Sequence, residues 1–345
     1  MPNTNIKDLK VAITGGTGSF GHAVTKHLLG RGVSRVHVIS RDEAKQEEMR
    51  QSIRDDRLHF WIADVRDRRS LVAPFRGVDV VFHAAALKQV PSCEFFPEQA
   101  VLTNVVGSQN VLEEAAAAGV QRVVCLSTDK AVQPVNAMGM TKALMEKQVL
   151  AMARRFGDSG PVACCVRYGN VMHSRGSVIP LFVSRLRAGL PRPVTHPGMT
   201  RFLLPLSEAV GLVELALHQG RQGDLFIRKS SAATVNTLVQ ALGLLFGVTP
   251  STEDIGIRHG EKLHETLATS EEMAKAEDLG EHWRIPADLR GLNYSAQLAP
   301  AAGAVAQTAA LSSDSAPQLD ARATAQLLAS LPELQADLPT AGARP

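Results

Sequence analysis

The sequence predicts an α/β protein in which a doubly wound parallel sheet is accompanied by a smaller second domain. Apolar strands alternate with amphipathic helical stretches along the N-terminal half, which is typical of a parallel sheet with helices on both faces. A glycine-rich turn at 15–21 joins the first strand to the first helix. The length of 345 residues is sufficient for two domains. We therefore expect ligands to bind beyond the carboxyl ends of the strands.

Composition excludes several classes of protein. The formal net charge is +3 and no run of lysine or arginine occurs, so we expect no nucleic-acid partner. No signal-peptide pattern precedes Lys10 and no apolar run approaches the roughly 18 residues of a membrane helix. We therefore expect a cytoplasmic protein without membrane insertion. The four cysteines lack metal-site spacing, which predicts no metal and buried free thiols: Cys93, Cys125, Cys164 and Cys165.

The first strand, Lys10–Thr14, runs directly into the glycine-rich turn, and a helical pattern follows. Glycines at such spacing allow a tight turn and the close approach of a pyrophosphate to backbone amides at a helix N-terminus. A purely structural loop is the alternative, but the flanking strand and helix favour a dinucleotide site. The residues expected to contact the dinucleotide are Gly15, Thr17, Gly18, Ser19, Phe20 and Gly21.

The second strand, Arg35–Ser40, predicts which dinucleotide is bound. An NAD site normally has an acidic residue here, which holds the ribose 2′-hydroxyl. Ser40, Arg41 and Lys45 instead suit a 2′-phosphate, so we expect NADP. The alternative is a solvated charge cluster at the start of a helix.

The next two strands, 58–63 and 78–84, precede further candidate cofactor contacts. Small residues after a strand let a cofactor lie against the backbone, although alanine is also common filler. Isolated helical asparagines are more often on the surface, but one at a helix start can order the site. The candidates are Asp64 and Val65 at the adenine edge, Ala84, Ala85 and Ala86, Lys88 in a loop open to substrate, and Asn104.

The stretch 125–147 carries the predicted acid–base chemistry. The apolar strand Arg122–Leu126 leads into Ser127, Thr128, Asp129 and Lys130, and a helix beginning near 137 carries Met138 and Lys142. A carboxylate and two ammonium groups beyond a strand end are the parts of an acid–base site. A strand-end ion pair is the alternative. A sixth strand, 161–167, is followed by Tyr168 and Asn170, which we also expect to reach the cofactor.

These motifs together resemble the extended short-chain dehydrogenase/reductases. More closely, the chain is similar to the inverting UDP-N-acetylglucosamine 4,6-dehydratase/5-epimerase family. The resemblance covers 10–294, and its most specific motifs are LSTDKA at 126–131 and IRHGEKLHETL at 257–267. The superfamily tyrosine is replaced by Met138, as in a subgroup that makes 6-deoxy amino sugars for capsule and O-antigen.

The resemblance implies a set of catalytic roles. Hydride leaves C4 of the sugar for NADP+, water is eliminated across C5 and C6, and hydride returns at C6. Lys130 would be the base at C5, Asp129 the acid at the 6-hydroxyl, and Lys142 a hydrogen-bond donor to the nicotinamide ribose. Met138 can neither donate nor usefully accept a proton. Ser127 or Thr128 would orient the C4 hydroxyl, and Lys130, Lys142 or a water would take its proton. Tyr168, which follows a strand end, is a further candidate to assist. Of these we favour Lys130.

The resemblance also implies a substrate, partners and domain limits. We expect UDP-N-acetylglucosamine or a close UDP-sugar, and a homo-oligomer, which is often a hexamer in relatives. The substrate residues would be Lys88, Asn170, Ser177, Val178, Ile179, Pro180, Thr195, Met199, Arg201, Arg258 and Glu261. The domains would be an NADP-binding domain at 1–170 with 205–250 returning to it, a UDP-sugar-binding domain at 171–204 and 251–295, an Ala/Pro/Ser-rich linker at 296–318, and a short helix and tail at 319–345.

Three other functions remain open at this point. A dehydrogenase fold without its tyrosine could be a non-catalytic NADP-binding sensor, although a sensor needs no acid–base pair. A UDP-sugar 4-epimerase needs no acid at C6, and a 5,6-dehydratase stops at the exocyclic alkene. Product analysis separates these activities.

Overall fold

The computed structural model describes residues 6–290 and 308–338. The strands of these ranges are β1 (Lys10–Thr14), β2 (Arg35–Ser40), β3 (Leu58–Ile62), β4 (Val80–His83), β5 (Arg122–Leu126), β6 (Val162–Arg167), β7 (Asn170–Val171), β8 (Arg192–Val194), β9 (Thr200–Leu204), β10 (Leu225–Arg228), β11 (Ala232–Thr234), β12 (Thr252–Asp254), β13 (Thr266–Ala268), β14 (Glu277–Asp278), β15 (His282–Ile285) and β16 (Leu311–Ser312).

The α-helices of the same ranges are α1 (Ser19–Gly30), α2 (Glu43–Ile53), α3 (Val72–Phe75), α4 (Val90–Phe95), α5 (Pro97–Ala100), α6 (Gly107–Ala117), α7 (Ala137–Phe156), α8 (Val178–Arg187), α9 (Leu206–Gln219), α10 (Val235–Phe246), α11 (Ser270–Met273), α12 (Ala321–Ala329) and α13 (Pro332–Gln335). A π-helical stretch, Val101–Val106, leads into α6. None of the helices described combines the length and the apolar character needed to cross a membrane.

The chain divides into two compact units. Unit 1 contains 1–168, 207–229 and 267–310, and unit 2 contains 169–206, 230–266 and 311–345, each as far as its residues are described. The α10 segment, predicted to return to the first domain, belongs to unit 2, and β14 and β15 belong to unit 1 rather than to the smaller domain.

Unit 1 is built on a nine-stranded sheet with the order β14-β15-β10-β6-β5-β4-β1-β2-β3. Seven neighbouring strands of this sheet run parallel to one another: β10, β6, β5, β4, β1, β2 and β3. Beyond them, β15 pairs antiparallel with β10. The central strands are almost continuously apolar because both faces of the sheet are covered. The predicted doubly wound α/β fold is therefore confirmed.

The register of the central strands brings three predicted site segments to one edge of the sheet. Thr14 of β1 pairs with His83 of β4, His83 pairs with Cys125 of β5, and Cys125 pairs with Cys165 of β6. The turn after β1, the alanines after β4 and the loop after β5 consequently leave the sheet side by side. This is the ligand-binding edge of a doubly wound sheet.

Unit 2 contains the three-stranded sheet β11-β9-β7 and the two-stranded sheet β12-β8. Its core includes Phe182, Leu242, Leu328 and Leu334, which are almost completely buried. Helix α12 packs against α10, and Asp320 caps α12 by accepting the Ala323 N–H, as the sequence predicts. The C-terminal segment therefore completes the core of this unit.

The segment 296–318 was predicted to be a linker, but in the part of it that the structure describes, 308–318, residues 311–318 belong to unit 2. Residues 291–307, Tyr294 among them, and 339–345 lie outside the described residues. Beyond them, Ser313 is fully buried and its N–H donates to the Glu265 carbonyl oxygen at 2.8 Å. This stretch is rich in alanine, serine and proline and has no apolar periodicity, which predicted a linker. Small residues also suit an extended segment that is held by backbone hydrogen bonds.

Candidate active site

The glycine-rich turn follows β1 and leads directly into α1. Gly15 has a φ of +68°, and a Cβ at this position would lie 2.8 Å from the backbone of Ala85. A Cβ on Gly21 would lie 2.2 Å from the carbonyl oxygen of Gly16. Both positions therefore require glycine, the first for its conformation and both for close backbone packing.

The N-terminus of α1 fits the pyrophosphate of a dinucleotide. The helix begins at Ser19, and its N-cap Gly18 gives no side-chain hydrogen bond to the first turn. The first N–H groups of a helix bind anions well because they are donors at the positive end of the helix dipole. Of the other predicted contacts, Thr17 lies with its Oγ1 2.9 Å from Ser40 Oγ, and Phe20 packs against the core of unit 1.

The residues that predicted NADP form a charge cluster after β2. The half-exposed Arg41 places Nη1 3.4 Å from Asp64 Oδ2. Lys45 pairs with Asp42, the residue that caps α2. Val65 is buried, and its carbonyl oxygen accepts a hydrogen bond from α6. Arg41 and Lys45 would therefore have to exchange carboxylate partners for a 2′-phosphate, and NADP stays a prediction.

A buried histidine connects the ends of β1 and β4. Ser108 Oγ donates to the Asn104 carbonyl oxygen at 2.6 Å, so its single proton is used and His83 Nε2 donates to it at 2.8 Å. His83 Nδ1 then accepts from Thr14 Oγ1 at 2.7 Å. Burial, together with the nearby charge of Lys142, lowers the pKa of His83 to about 3. The imidazole is consequently neutral. It links the carboxyl ends of β1 and β4, directly before the predicted alanines Ala84, Ala85 and Ala86.

Asn104 orders the loop that follows those alanines. Its Oδ1 accepts the Leu87 N–H at 2.8 Å, and its Nδ2 donates to the Leu87 carbonyl oxygen and to Thr141 Oγ1, both at 3.0 Å. Both amide protons are thereby used inside the protein, so its contacts are those of an ordering residue rather than a cofactor ligand. Lys88 follows in the same loop, and burial lowers its pKa.

The loop after β5 places an acid and an amine in contact. Asp129 is fully buried, and its N–H donates to the carbonyl oxygen of Tyr168 at 3.2 Å. Thr128 Oγ1 and Lys130 Nζ both donate to Asp129 Oδ1, at 2.8 and 3.0 Å. Asp129 Oδ2 is buried and accepts no hydrogen bond from any described residue. One carboxyl oxygen is thus left for a ligand or for a proton.

Helix α7 is packed directly onto this loop. Its N-cap Asn136 accepts the Gly139 N–H at 2.8 Å, and a Cβ on Gly139 would lie 2.1 Å from the Lys130 carbonyl oxygen. Lys142 follows Gly139 by three residues, within one turn of this contact. Lys142 is buried and its Nζ donates to Met145 Sδ at 3.1 Å. An ammonium group has three donors, so the ribose contact stays a prediction.

Met138, which stands in place of the superfamily tyrosine, is buried, and Tyr168 is partly buried. Met138 is buried in a small apolar cluster with Cys93 and Ala100. Tyr168 packs its side chain against the core of unit 1, and burial raises the pKa of its phenol. Met138 has no group that accepts a proton, and Lys130 stays the predicted acceptor.

Unit 2 contains a pocket lined by several of the predicted substrate residues. Two polar atoms of its lining residues, Asn170 Oδ1 and Ser177 Oγ, are buried and have no hydrogen-bond partner among the described residues. Its lining comprises Asn170, Val171, Met172, Ser177, Val178, Ile179, Arg201, Leu203, Ala233, Thr234, Val235 and Leu238.

Of the predicted substrate residues that do not line the pocket, Lys88 lies in unit 1 and the others lie in unit 2. Thr195 Oγ1 and Arg201 Nη2 both donate to Met199 Sδ, at 3.4 and 2.7 Å, so these three form one group. The Arg258 N–H donates to Glu261 Oε2 at 3.3 Å within an exposed loop. Pro180 lies in the first turn of α8 and does not line the pocket.

Comparison with known proteins identifies the family. The family described as polysaccharide biosynthesis protein matches residues 11–287. The chain belongs to this family. A UDP-glucose 4-epimerase of Rickettsia akari (strain Hartford) is 48% identical to this family member over 338 residues, which are 97% of this chain and 99% of the relative. The protein of the same name from Rickettsia prowazekii (strain Madrid E) is 47% identical over the same shares.

Solved structures agree with this assignment. Pen from Bacillus thuringiensis superposes with a TM-score of 0.85 at 32% identity, over 94% of this chain and 99% of Pen. DesIV, a dTDP-glucose 4,6-dehydratase from Streptomyces venezuelae crystallised with NAD, has a TM-score of 0.68 at 25% identity, over 74% and 87%. The polysaccharide biosynthesis family member therefore has the extended short-chain dehydrogenase/reductase fold and is an enzyme of the nucleotide-sugar epimerase/dehydratase type.

Sequence reasoning missed a partly buried ion-pair network beside the acid–base loop. Ser127 Oγ donates to Glu146 Oε1 at 2.5 Å, and Glu146 is paired with Arg167 at the end of β6. The position of Glu146 one helical turn after Lys142 was the available signal, since residues four apart share a helix face. Arg167 gave none, because it reads simply as the last residue of an apolar strand.

Proposed function

We propose that this family member is an inverting UDP-N-acetylglucosamine 4,6-dehydratase that uses NADP and makes a 6-deoxy-4-keto UDP-sugar for surface polysaccharide. The observation that carries the proposal is Asp129. It is fully buried beside Lys130, and its Oδ2 has no hydrogen-bond partner among the described residues. A carboxyl group with one unpartnered oxygen can contact a sugar hydroxyl directly, and carboxyl groups serve as general acids.

The proposed mechanism divides the elimination of water between two adjacent residues. When bound, a nicotinamide cofactor supplies reversible hydride transfer at C4 and C6 of the sugar. Lys130 removes the C5 proton, which an adjacent C4 ketone makes acidic, and Asp129 protonates the 6-hydroxyl as water leaves. Reprotonation of C5 on the opposite side inverts that centre. The proton that leaves the C4 hydroxyl passes from Lys130 to Asp129 across their 3.0 Å contact and departs in the water. The proton that Lys130 takes from C5 is then lost to solvent, and solvent supplies the proton that returns to C5 on the opposite side.

The ligand-binding parts of both units support this proposal. In unit 1, the turn that requires Gly15 and Gly21 and the open N-terminus of α1 fit a dinucleotide. In unit 2, the pocket lined by Asn170, Ser177 and Arg201 has mainly apolar walls with a few polar groups, which is the usual make-up of a small-molecule site. The homo-oligomer stays a prediction.

A UDP-glucose 4-epimerase is the second candidate, because the Rickettsia relatives carry that name at 47–48% identity over 97% of the chain. A 4-epimerase transfers hydride from C4 and back to C4, and it needs no acid at C6. The unpartnered buried oxygen of Asp129 would have no task in that reaction. This oxygen is why we place the dehydratase first.

Product analysis in deuterated water tests both candidates. The purified protein with NADP+ is incubated separately with UDP-N-acetylglucosamine and UDP-glucose, and the products are analysed by mass spectrometry and proton NMR. A product that has lost one water, with deuterium at C5 and a 6-methyl group, is the expected result. An isomer of unchanged mass without deuterium would identify the 4-epimerase instead, and no product from either sugar would contradict both candidates.

A further inference from the structure

The first turn of α7 packs against two loops at the ligand-binding edge of the sheet. One is the acid–base loop after β5, where a Cβ on Gly139 would lie 2.1 Å from the Lys130 carbonyl oxygen. The other is the segment 87–94, which follows β4 and runs into α4, and which we call the β4 segment. Each loop carries one lysine that is predicted to reach the substrate, Lys130 in the first and Lys88 in the second. The contacts of this turn consequently hold both lysine-bearing loops.

A chain of hydrogen bonds joins the start of the β4 segment to α7. Asn104 Oδ1 accepts the Leu87 N–H at 2.8 Å, and Asn104 Nδ2 donates to Thr141 Oγ1 at 3.0 Å. Thr141 Oγ1 in turn donates to the Met138 carbonyl oxygen at 2.8 Å. Asn104 and Thr141 are almost completely buried, so water competes little for these bonds. The residue directly before Lys88 is thereby linked to the first turn of the helix.

A carboxylate links the other end of the β4 segment to the same turn. Glu94 Oε1 accepts the N–H of Ala137, the first residue of α7, at 2.6 Å. This N–H has no acceptor within its own helix, and a negative charge is favourable at a helix N-terminus. The N-cap Asn136 accepts the Gly139 N–H instead. Glu94 therefore supplies a second cap from another element.

Met138 lies in the apolar contact between these two links. It is buried in a cluster with Cys93 of the β4 segment, and Leu87 and Val90 of the same segment pack against that cluster. Its side chain transfers no proton, but it is unbranched and adapts to irregular gaps. The residue that stands in place of the superfamily tyrosine thus packs against the segment that carries Lys88.

We propose that Met138 and Glu94 are positioning residues, which hold the β4 segment so that the Lys88 ammonium group contacts the sugar nucleotide. The inference rests on the proposed function in that the substrate is a UDP-sugar. Lys88 remains accessible to solvent, and its flexible four-carbon side chain depends on the backbone of the segment for its position. Position 138 therefore serves to place a lysine rather than to move a proton.

The test is a double-mutant cycle on the affinity for UDP-N-acetylglucosamine, and likewise for UDP-glucose, measured by calorimetry with NADPH bound. The reduced cofactor cannot take hydride, so the sugar nucleotides are not consumed. Lys88→Ala should lower the affinity about tenfold. Met138→Ala should lower it about fivefold in the wild-type protein but less than about twofold in Lys88→Ala, because a residue that acts through Lys88 has little effect once that lysine is gone. Met138→Leu, which keeps most of the volume, should bind as the wild type does.

Hydrogen–deuterium exchange of the β4 segment provides a second readout, which needs no ligand. Exchange at 87–94 should be faster in Met138→Ala and in Glu94→Ala than in the wild type, because each variant removes a contact with α7. Glu94 is only partly buried, so Glu94→Ala decides the matter if Met138→Ala does not fold. Its loss of affinity should likewise be smaller in Lys88→Ala.

Met152 provides a matched control on the same helix. It is 5% exposed and Met138 is 4% exposed, so Met152→Ala removes the same atoms at the same degree of burial and should cost a similar amount of stability. It should leave the affinity and the exchange of the β4 segment unchanged. An equal loss of affinity in Met152→Ala would overturn the proposal. Equal losses for Met138→Ala with and without Lys88 would overturn it too.

Failure of this inference can be distinguished from failure of the proposed function, because binding and exchange require no dehydration. Coupled losses of affinity for either UDP-sugar, without a dehydrated product, would support the positioning role and contradict the dehydratase. Dehydration by the wild type, with losses of affinity that simply add, would do the reverse.

Discussion

Asp129 is the residue on which the proposed dehydration depends. An ordinary ion pair would use both carboxylate oxygens, but here Thr128 and Lys130 share Oδ1 and Oδ2 accepts no hydrogen bond from the described residues. Leaving a buried polar atom unpaired costs roughly 1–3 kcal/mol. Such a cost is typical of sites where a substrate group completes the hydrogen bonding.

Replacing Asp129 by asparagine should separate acid catalysis from binding. The amide keeps the size of the side chain but has no proton to give to the 6-hydroxyl, so kcat for dehydration should fall by about 10²–10⁴. Affinity for NADPH should stay near that of wild type. Asp278→Asn is the control, because Asp278 forms an ion pair with Lys229 at 2.6 Å on the surface. Undiminished dehydration by Asp129→Asn would rule out its role as the acid.

His83 should make the stability of the protein depend on pH. Its folded pKa of about 3 lies below the unfolded value of 6.5, so between these values the unfolded state binds more protons. The free energy of unfolding is therefore fully retained above pH 6.5 and falls as pH decreases toward 3, by up to about 1.4 kcal/mol per pH unit. Urea unfolding at several pH values should show this slope, and it should be smaller in His83→Gln. An unchanged slope would mean that other groups cause it.

The site residues that lie within one loop could be predicted from the sequence, whereas their distant partners could not. Asp129 and Lys130 are adjacent, and the structure places them in contact as a strand end requires. Arg167 and Glu272 are separated by 105 residues, and no local pattern links them. Met138 could be recognised as a departure from the superfamily, but its burial against Cys93 and Ala100 depends on how α4 and α5 pack on α7.

At the level of the elements, the β1–α1 connection is the most constrained part of the nucleotide site. The helix lies so close to the turn that a Cβ on Gly21 would overlap the Gly16 carbonyl group. In Gly21→Ala, α1 must move away from the turn, and its first N–H groups move with it. We expect the affinity for NADPH to fall at least tenfold, which corresponds to about 1.4 kcal/mol.

Gly30 at the other end of α1 provides the control for that substitution. A Cβ there would meet no atom within 4 Å, and alanine is a better helix former than glycine. Gly30→Ala should therefore bind NADPH as the wild type does and be at least as stable. Binding measured by calorimetry for both variants tests the argument, which fails if the two variants lose affinity equally.

The strands that the sequence predicted are those with continuous apolar runs, because burial on both faces of a parallel sheet leaves that pattern. β14 and β15 carry charged residues and lie at the edge of the sheet beyond β10. They therefore lack the continuous apolar pattern. The segment from β16 to α12 was predicted in part. The cap at Asp320 was visible in the sequence, but the burial of Ser313 against Thr200 and Glu265 was not.

At the level of the whole molecule, the C-terminal segment completes unit 2, which contains the proposed UDP pocket. Leu328 of α12 is fully buried in the core of that unit, whereas Leu244 of α10 is 58% exposed. Leu328→Ala should lower the free energy of unfolding by about 2–5 kcal/mol, because it removes buried methyl groups and leaves a cavity. Leu244→Ala should change it by no more than about 0.5 kcal/mol.

Two spectroscopic signals can assign the loss of stability in Leu328→Ala to unit 2. The two tryptophans of the sequence, Trp61 and Trp283, both lie in unit 1, so tryptophan fluorescence reports on unit 1 while far-ultraviolet circular dichroism reports on both units. In urea, Leu328→Ala should begin to unfold by circular dichroism before its fluorescence changes, and UDP should bind more weakly. Coincident transitions would show that the units unfold together. A Leu328→Ala variant as stable as Leu244→Ala, with undiminished UDP binding, would contradict the role assigned to the C-terminal segment.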